Sequence, residues 1–175
     1  MILKPTVSQL LDLLNKPALL KWSNKIWLEW IKLEDYQKKS KSDWISLHKQ
    51  IENYIKNEIP FENAEHQNNF DILFKDLSIL TVEENIETDY FIWRLDIRID
   101  WREKYICDFK SSDRIYFENK LQLTAYKMAK PDYKTAVIEI PSFKFKPIEL
   151  DYEKYSKILI NLSEIWKLKK ELEIW

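Results

Sequence analysis

Asp96, Asp108 and Lys110 are the residues whose types and spacing could do chemistry. They lie in residues 92–110, IWRLDIRIDWREKYICDFK. Leu95, Ile97 and Ile99 alternate with Asp96, Arg98 and Asp100, a period of two that predicts a strand with one apolar face. Tyr105-Ile106-Cys107 is a second apolar run, and the polar residues between the two predict a hairpin. With a loop at 101–103, pairing is symmetric about Arg102 and Asp96 falls opposite Asp108. Carboxylates facing each other across a ladder repel. A hard divalent cation, which prefers carboxylate oxygens, turns that repulsion into binding. Lys110 shares a strand face with Asp108, so an ammonium stands beside the same place, and the set suggests metal-assisted hydrolysis. Arg94, Asp96, Arg98 and Asp100 equally describe the solvated face of an ordinary strand, and the rest of the chain has to decide.

The elements that would position these residues can be read in order. A first short helix is expected over 8–15, capped by Thr6 or Ser8 and carrying Leu10, Leu11, Leu13 and Leu14. Pro17 interrupts it, and a second helix is expected over 18–33. A polar connection over 38–43 precedes a third helix over 43–57, capped by Asp43 and carrying Trp44, Leu47, Ile51, Tyr54 and Ile55 at helical spacing. A helix over 70–77 and a strand over 78–86 lead into the hairpin. A helix over 117–130 follows, then strands over 135–140 and 143–150 broken at Pro141. A closing helix is expected over 151–173, with Leu159, Leu162, Ile165, Trp166 and Leu172 on one side. This order predicts an α/β protein, a central mixed sheet flanked by helices.

At 175 residues the chain is expected to form a single domain over 1–175. It has 28 basic and 29 acidic residues, so nucleic-acid binding cannot be inferred from overall charge and would need a local patch. Its single cysteine, Cys107, excludes an internal disulfide framework and a multi-cysteine metal site within one chain. No segment has the long uncharged run that spans a membrane, and a cytoplasmic, intracellular protein is expected.

Further residues extend the pattern along nearly the whole chain. Thr6-Val7-Ser8-Gln9-Leu10 is followed by Pro17; His48 closes Trp44-Ile45-Ser46-Leu47-His48; Glu83 closes Thr81-Val82-Glu83; and Gln122 and Tyr126 stand four apart in Gln122-Leu123-Thr124-Ala125-Tyr126. In order and spacing these resemble the PD-(D/E)XK nuclease superfamily, in its RecB-like and phage-exonuclease branch. Asp96 matches the Asp of Gly-x-x-Asp, Asp108-Phe109-Lys110 the (D/E)-x-K core, and Gln122 with Tyr126 the Q-x-x-x-Y helix. Lys16-Pro17 stands where iron–sulfur members have Cys-Pro, so the resemblance implies a form without an iron–sulfur cluster.

The resemblance implies a restriction-endonuclease-like core and a bacterial or phage-like DNA nuclease. An exonuclease acting at DNA ends in recombination, repair or phage genome processing is the leading expectation, with DNA and recombination or replication proteins as partners. The alternatives are a CRISPR-associated RecB-like processing nuclease and a catalytically silent nucleic-acid-binding or scaffold protein on the same fold. Asp96 and Asp108 would hold one or two Mg²⁺ or Mn²⁺ ions, with the Phe109 backbone carbonyl as a further oxygen ligand. His48 as a ligand would favour Mn²⁺, which accepts nitrogen more readily. Lys110 would orient or deprotonate the attacking water, its pKa lowered by the metal. Glu83 resembles the acidic residue of the preceding strand. Gln122 and Tyr126 share a helix face and would position either the backbone of the substrate or the metal-bound loop. Lys104, Lys120, Lys127, Lys130 and Lys134 are candidate phosphate contacts.

One feature of composition is anomalous. The chain has no glycine, where average usage predicts roughly 12, and it has eight tryptophans. Trp44 stands four residues before His48 and Trp93 at the start of the Gly-x-x-Asp match, both glycine in the resembled family. Trp101 follows Asp100 in the hairpin loop, where Asp-Gly is favoured. This points to UGA codons read as glycine in the source at these positions, with Trp27 and Trp30 in the same set.

Overall fold

The computed structural model describes residues 4–14 and 33–172. They fall into two compact units, Leu14–Glu62 and the combination of Met1–Leu13 with Asn63–Trp175. The helix expected over 18–33 lies outside the described residues, as do Trp22, Trp27 and Trp30.

In the first-named unit one helix, α2 (Leu33–Asn57), runs through the stretch expected to be a connection. Residues 38–43 are polar but contain neither proline nor glycine, and lysine is a good helix former, so nothing there stops propagation. Asp43 is therefore mid-helix and caps nothing. Glu58, at φ 55, ends the helix in the left-handed region. The chain then turns back, Tyr54 meets Phe61 edge to face at 5.3 Å, and Gln50 Oε1 accepts from the Glu62 N–H at 3.0 Å.

The second unit opens with α1 (Val7–Leu11), shorter than expected and capped by Thr6. Gln9 completes a capping box there: its N–H donates to Thr6 Oγ1 and its side chain accepts from the Thr6 N–H. Helix α3 (Ala64–Phe74) starts six residues before the expected 70, because Asn63 caps it through the Glu65 and His66 N–H groups. A five-stranded sheet follows, in spatial order β1 (Ser78–Glu87), β2 (Ile92–Trp101), β3 (Glu103–Lys110), β4 (Lys134–Glu139) and β5 (Lys144–Pro147). The pairs β1–β2, β2–β3 and β4–β5 are antiparallel, while β3–β4 is parallel and is joined by α4 (Phe117–Ala129). The sheet is mixed and flanked by helices, as the element order predicted.

Helix α4 packs on β1, β3 and β4, and α5 (Tyr152–Glu171) packs on α4 and α1. The core beneath α4 joins Ile86, Leu95, Ile106 and Val137 from the sheet to Leu123 and Tyr126 from the helix. In α5, Leu159, Leu162 and Trp166 are buried as expected. Ile165 and Leu172 are 47% and 65% exposed, so the apolar stripe is narrower than its sequence pattern. No helix among the described residues is long and apolar enough to cross a membrane.

Candidate metal centre

The hairpin has the predicted register. Trp101 faces Glu103, Asp100 faces Lys104, and pairing continues to Ile97 opposite Cys107, symmetric about Arg102. Arg102 takes the left-handed conformation, φ 54, that lets so short a turn close. One step further the register would set Asp96 opposite Asp108, but the ladder ends at Ile97 and Cys107. In its place the Phe109 N–H donates to Asp96 Oδ2 at 2.8 Å. A carboxylate has replaced a backbone carbonyl as the acceptor on this edge of β3, while the other edge pairs with β4 from Tyr105 to Lys110. The N–H and C=O of one extended residue point to the same side, which turns the Phe109 carbonyl toward Asp96 as well.

The alternation expected along β2 breaks at the same place. Trp93 Nε1 reaches Tyr126 on α4, and Leu95 belongs to the core beneath that helix. Arg98, of the opposite parity, also reaches that side, through NH1 to Tyr133 OH at 2.7 Å. An uninterrupted strand would put 93 and 98 on opposite faces. The phase shift between them leaves Asp96 in the opening between β2 and β3.

Tyr126 closes that opening from α4. Its hydroxyl accepts from Trp93 Nε1 at 3.3 Å and from Gln122 Nε2 at 3.0 Å. Its one proton is shared between Asp108 Oδ1 at 3.3 Å and Asp96 Oδ1 at 3.5 Å. Gln122 Nε2 also donates to Asp108 Oδ1 at 2.8 Å, and Gln122 Oε1 accepts from Lys110 Nζ at 3.1 Å. Lys110 Nζ lies 2.6 Å from Asp108 Oδ2. Asp108 is fully buried and Asp96 nearly so. Their spacing of four residues places Gln122 and Tyr126 on one face of α4, bridging both carboxylates and the lysine.

The electrostatics are dominated by the two acids. For Lys110, burial is the largest influence and works downward, but the charges of Asp108 and Asp96 and the bond to Asp108 outweigh it, and its pKa is raised. The sequence expectation of a lowered value invoked a metal charge; among these side chains alone Lys110 is an ammonium. Burial first, then Asp96 and Asp108, push the Tyr126 hydroxyl well above its ordinary value. The same influences, burial first, hold buried Cys107 as an inert thiol.

Glu83 and Glu84 have separate destinations. Glu83, at φ 54, lies where the flanking register sets it across from Asp96, and the carboxylate oxygens of the two come within 4.8 Å. Glu84 turns the other way, to Arg98 NH2 at 2.6 Å, Lys130 at 2.8 Å and the Thr81 hydroxyl at 2.9 Å. The structure thus brings Asp96, Asp108, Lys110, Gln122, Tyr126 and Glu83 together within one unit. His48 lies on α2 of the other unit, its ring 3.8 Å from that of Trp44.

Three of the five lysines named as phosphate contacts have partners inside the fold. Lys127 donates to the Tyr133 carbonyl, Lys130 pairs with Glu84 and Lys134 with Glu103. Sequence reading missed two contacts at the site, the Trp93 indole on Tyr126 and the ion pair of Arg94 Nε with Glu83 Oε2 at 2.6 Å. Only the second had a signal, a cation two residues before Asp96. Trp44, Trp93 and Trp101 do not occupy left-handed positions. Among the described residues positive φ falls at Glu58, Glu83, Arg102 and Phe143. No family model matches this chain, and no curated protein matches it.

Proposed function

We propose that this chain is a metal-dependent DNA nuclease of the PD-(D/E)XK type, hydrolysing phosphodiesters, with an exonuclease acting at DNA ends as the leading form. The observation that supports it most is that two buried carboxylates from separate strands, Asp96 and Asp108, share the hydroxyl of Tyr126, with Lys110 on the second of them. Hard oxygen donors converging in this way fit Mg²⁺ or Mn²⁺. Asp96, Asp108 and the Phe109 carbonyl would hold one or two such ions, with Glu83 adjacent; His48 joins the ligand set on the sequence resemblance. The bound metal would polarise the phosphate and acidify the attacking water.

The remaining work falls to the chain's own side chains. Lys110 is held by Asp108 and Gln122, so its ammonium is oriented before substrate arrives and can direct a water or a phosphate oxygen. Gln122 and Tyr126 fix the rotamers of both acids, the supporting shell that a metal site requires. The Phe109 N–H holds Asp96 Oδ2 in place and leaves Oδ1 toward Tyr126.

Digestion of 5′- and 3′-labelled single- and double-stranded DNA with Mg²⁺, Mn²⁺ or EDTA tests this reading. Products that shorten progressively from one end, formed with metal and not with EDTA, are expected. Binding without cleavage under every metal would favour the silent-scaffold reading instead.

A further inference from the structure

Arg94 stands on the rim of the candidate centre. It lies on β2 two residues before Asp96, and its Nε forms an ion pair with Glu83, whose carboxylate comes within 4.8 Å of that of Asp96. Trp93 and Leu95 turn toward the α4 side, so alternation sends Arg94 out through the other face of the sheet. The Glu83 side chain is 9% exposed and that of Arg94 is 64% exposed. The pair is thus a partly buried acid at the site held by an arginine that reaches into solvent.

An ion pair with so exposed a partner adds little to stability. Its position is more informative. Guanidinium carries five N–H donors in a planar fork matched to two oxygens of a phosphate, and only its Nε side faces Glu83. Lys127, Lys130 and Lys134, three of the five lysines expected to meet phosphates, are held by Tyr133, Glu84 and Glu103. Arg94 is one carboxylate away from Asp96 and open to water.

We propose that Arg94 is the phosphate-binding residue of this site: its outer N–H groups hold a non-bridging phosphate oxygen of the nucleic acid while Nε keeps Glu83 oriented toward Asp96. The proposal rests on the nuclease reading above and adds a substrate contact to it. The group recognised is the phosphodiester, so the contact is indifferent to base sequence.

Steady-state cleavage of a short labelled DNA by the full chain, with Mn²⁺, tests it. Arg94→Gln should raise KM about tenfold and leave kcat nearly unchanged, the pattern of a contact made equally in ground and transition states. Arg94→Lys should recover part of the loss, and the slope of log kcat/KM against log salt should fall by about one for Arg94→Gln. The KM increase should persist in a Glu83→Gln background. Its disappearance there, or its replacement by weaker Mn²⁺ binding with KM unchanged, would mean that Arg94 acts only through Glu83 and would overturn the proposal. An Arg94→Gln protein that cleaves like the parent overturns it too and leaves the nuclease reading intact. A parent protein that cleaves with no metal overturns both.

Discussion

Two charged clusters lie a few residues apart and share strand β2, and they are built on different principles. At the Glu84 cluster one carboxylate meets two cations, Arg98 and Lys130, with Thr81 and Tyr133 completing the hydrogen bonds. At the Asp96 cluster two carboxylates converge on a tyrosine hydroxyl with Lys110 beside one of them. Glu84 has its pKa lowered: burial, the largest influence, works upward and is outweighed by the bonds to Lys130 and Thr81 and by the charges of Arg98 and Lys130. At the other cluster the acids raise the values of Tyr126, Lys110 and Cys107 around them. A cluster rich in cations serves as a staple between strands and helix. A cluster rich in carboxylates, with a supporting shell of amide and hydroxyl groups, is suited to receive a cation.

The contrast breaks first at Asp108 and Lys110. Asp108→Asn should abolish measurable cleavage and weaken Mn²⁺ binding by about 10–100-fold or more, since it removes a ligand as well as the anchor of Gln122. Lys110→Met should slow cleavage by about 10²–10⁴-fold, the range for loss of a positioned acid or base, and retain Mn²⁺ binding. Both variants should keep the parent's circular dichroism. Calorimetric titration with Mn²⁺ beside a cleavage assay separates the two roles, and parental cleavage by either variant would remove the site assignment.

The staple should break as stability and leave chemistry alone. Glu84→Gln at neutral pH should cost about 1.5–3 kcal/mol, the range for hydrogen bonds to charged groups, with cleavage retained. The pH dependence has a definite sign. A carboxyl whose folded pKa lies below its unfolded value stabilises the fold above the unfolded value and loses that contribution as pH falls through the folded one. The ordinary value for Glu84 is 4.5 and its folded value is lower, so the gap between parent and Glu84→Gln in urea denaturation should be full at pH 7, shrink as pH falls past the ordinary value and close below the folded one. A gap of constant size across that range would show that packing, not charge, holds the cluster.

Much of this was legible from residue types. The hairpin register followed from two apolar runs and a polar gap, because a turn centre fixes every pair beyond it. The shared helix face of Gln122 and Tyr126 followed from spacing alone. What periodicity could not supply was the phase shift at Asp96: a side chain that takes the place of a ladder acceptor leaves no mark on an alternating pattern. The choice between Glu83 and Glu84 was hidden for the same reason, since it depends on a left-handed residue within β1. The connection expected over 38–43 erred in another way. Polar composition was read as a break, although a solvated helix needs only residues that do not stop it.

The smallest effect is expected at Trp93, and it bears on what the residue is in its natural source. The chain has no glycine and eight tryptophans, and Trp44, Trp93 and Trp101 stand where the resembled motifs or the turn call for glycine. None of the three needs a left-handed backbone. Trp101 packs edge to face on Phe145 at 5.6 Å, with the left-handed turn residue Arg102 next to it. The case at 93 is one of space and hydrogen bonding. The indole supplies the second of two donors to Tyr126, the first being Gln122. With glycine at 93, Tyr126 keeps Gln122 and both carboxylates, and the site keeps its supporting shell. Trp93→Gly should therefore retain cleavage, where Tyr126→Phe, which removes the shared hydroxyl, should weaken metal binding by about 10–100-fold. Cleavage lost equally in both variants would make the indole part of the site and the tryptophan genuine. Sequencing the peptide that spans positions 93 and 101 from protein made in its own source decides the identity directly: glycine at both, from UGA codons, is the expected result, and UGG codons at 44, 93 and 101 would refute the recoding.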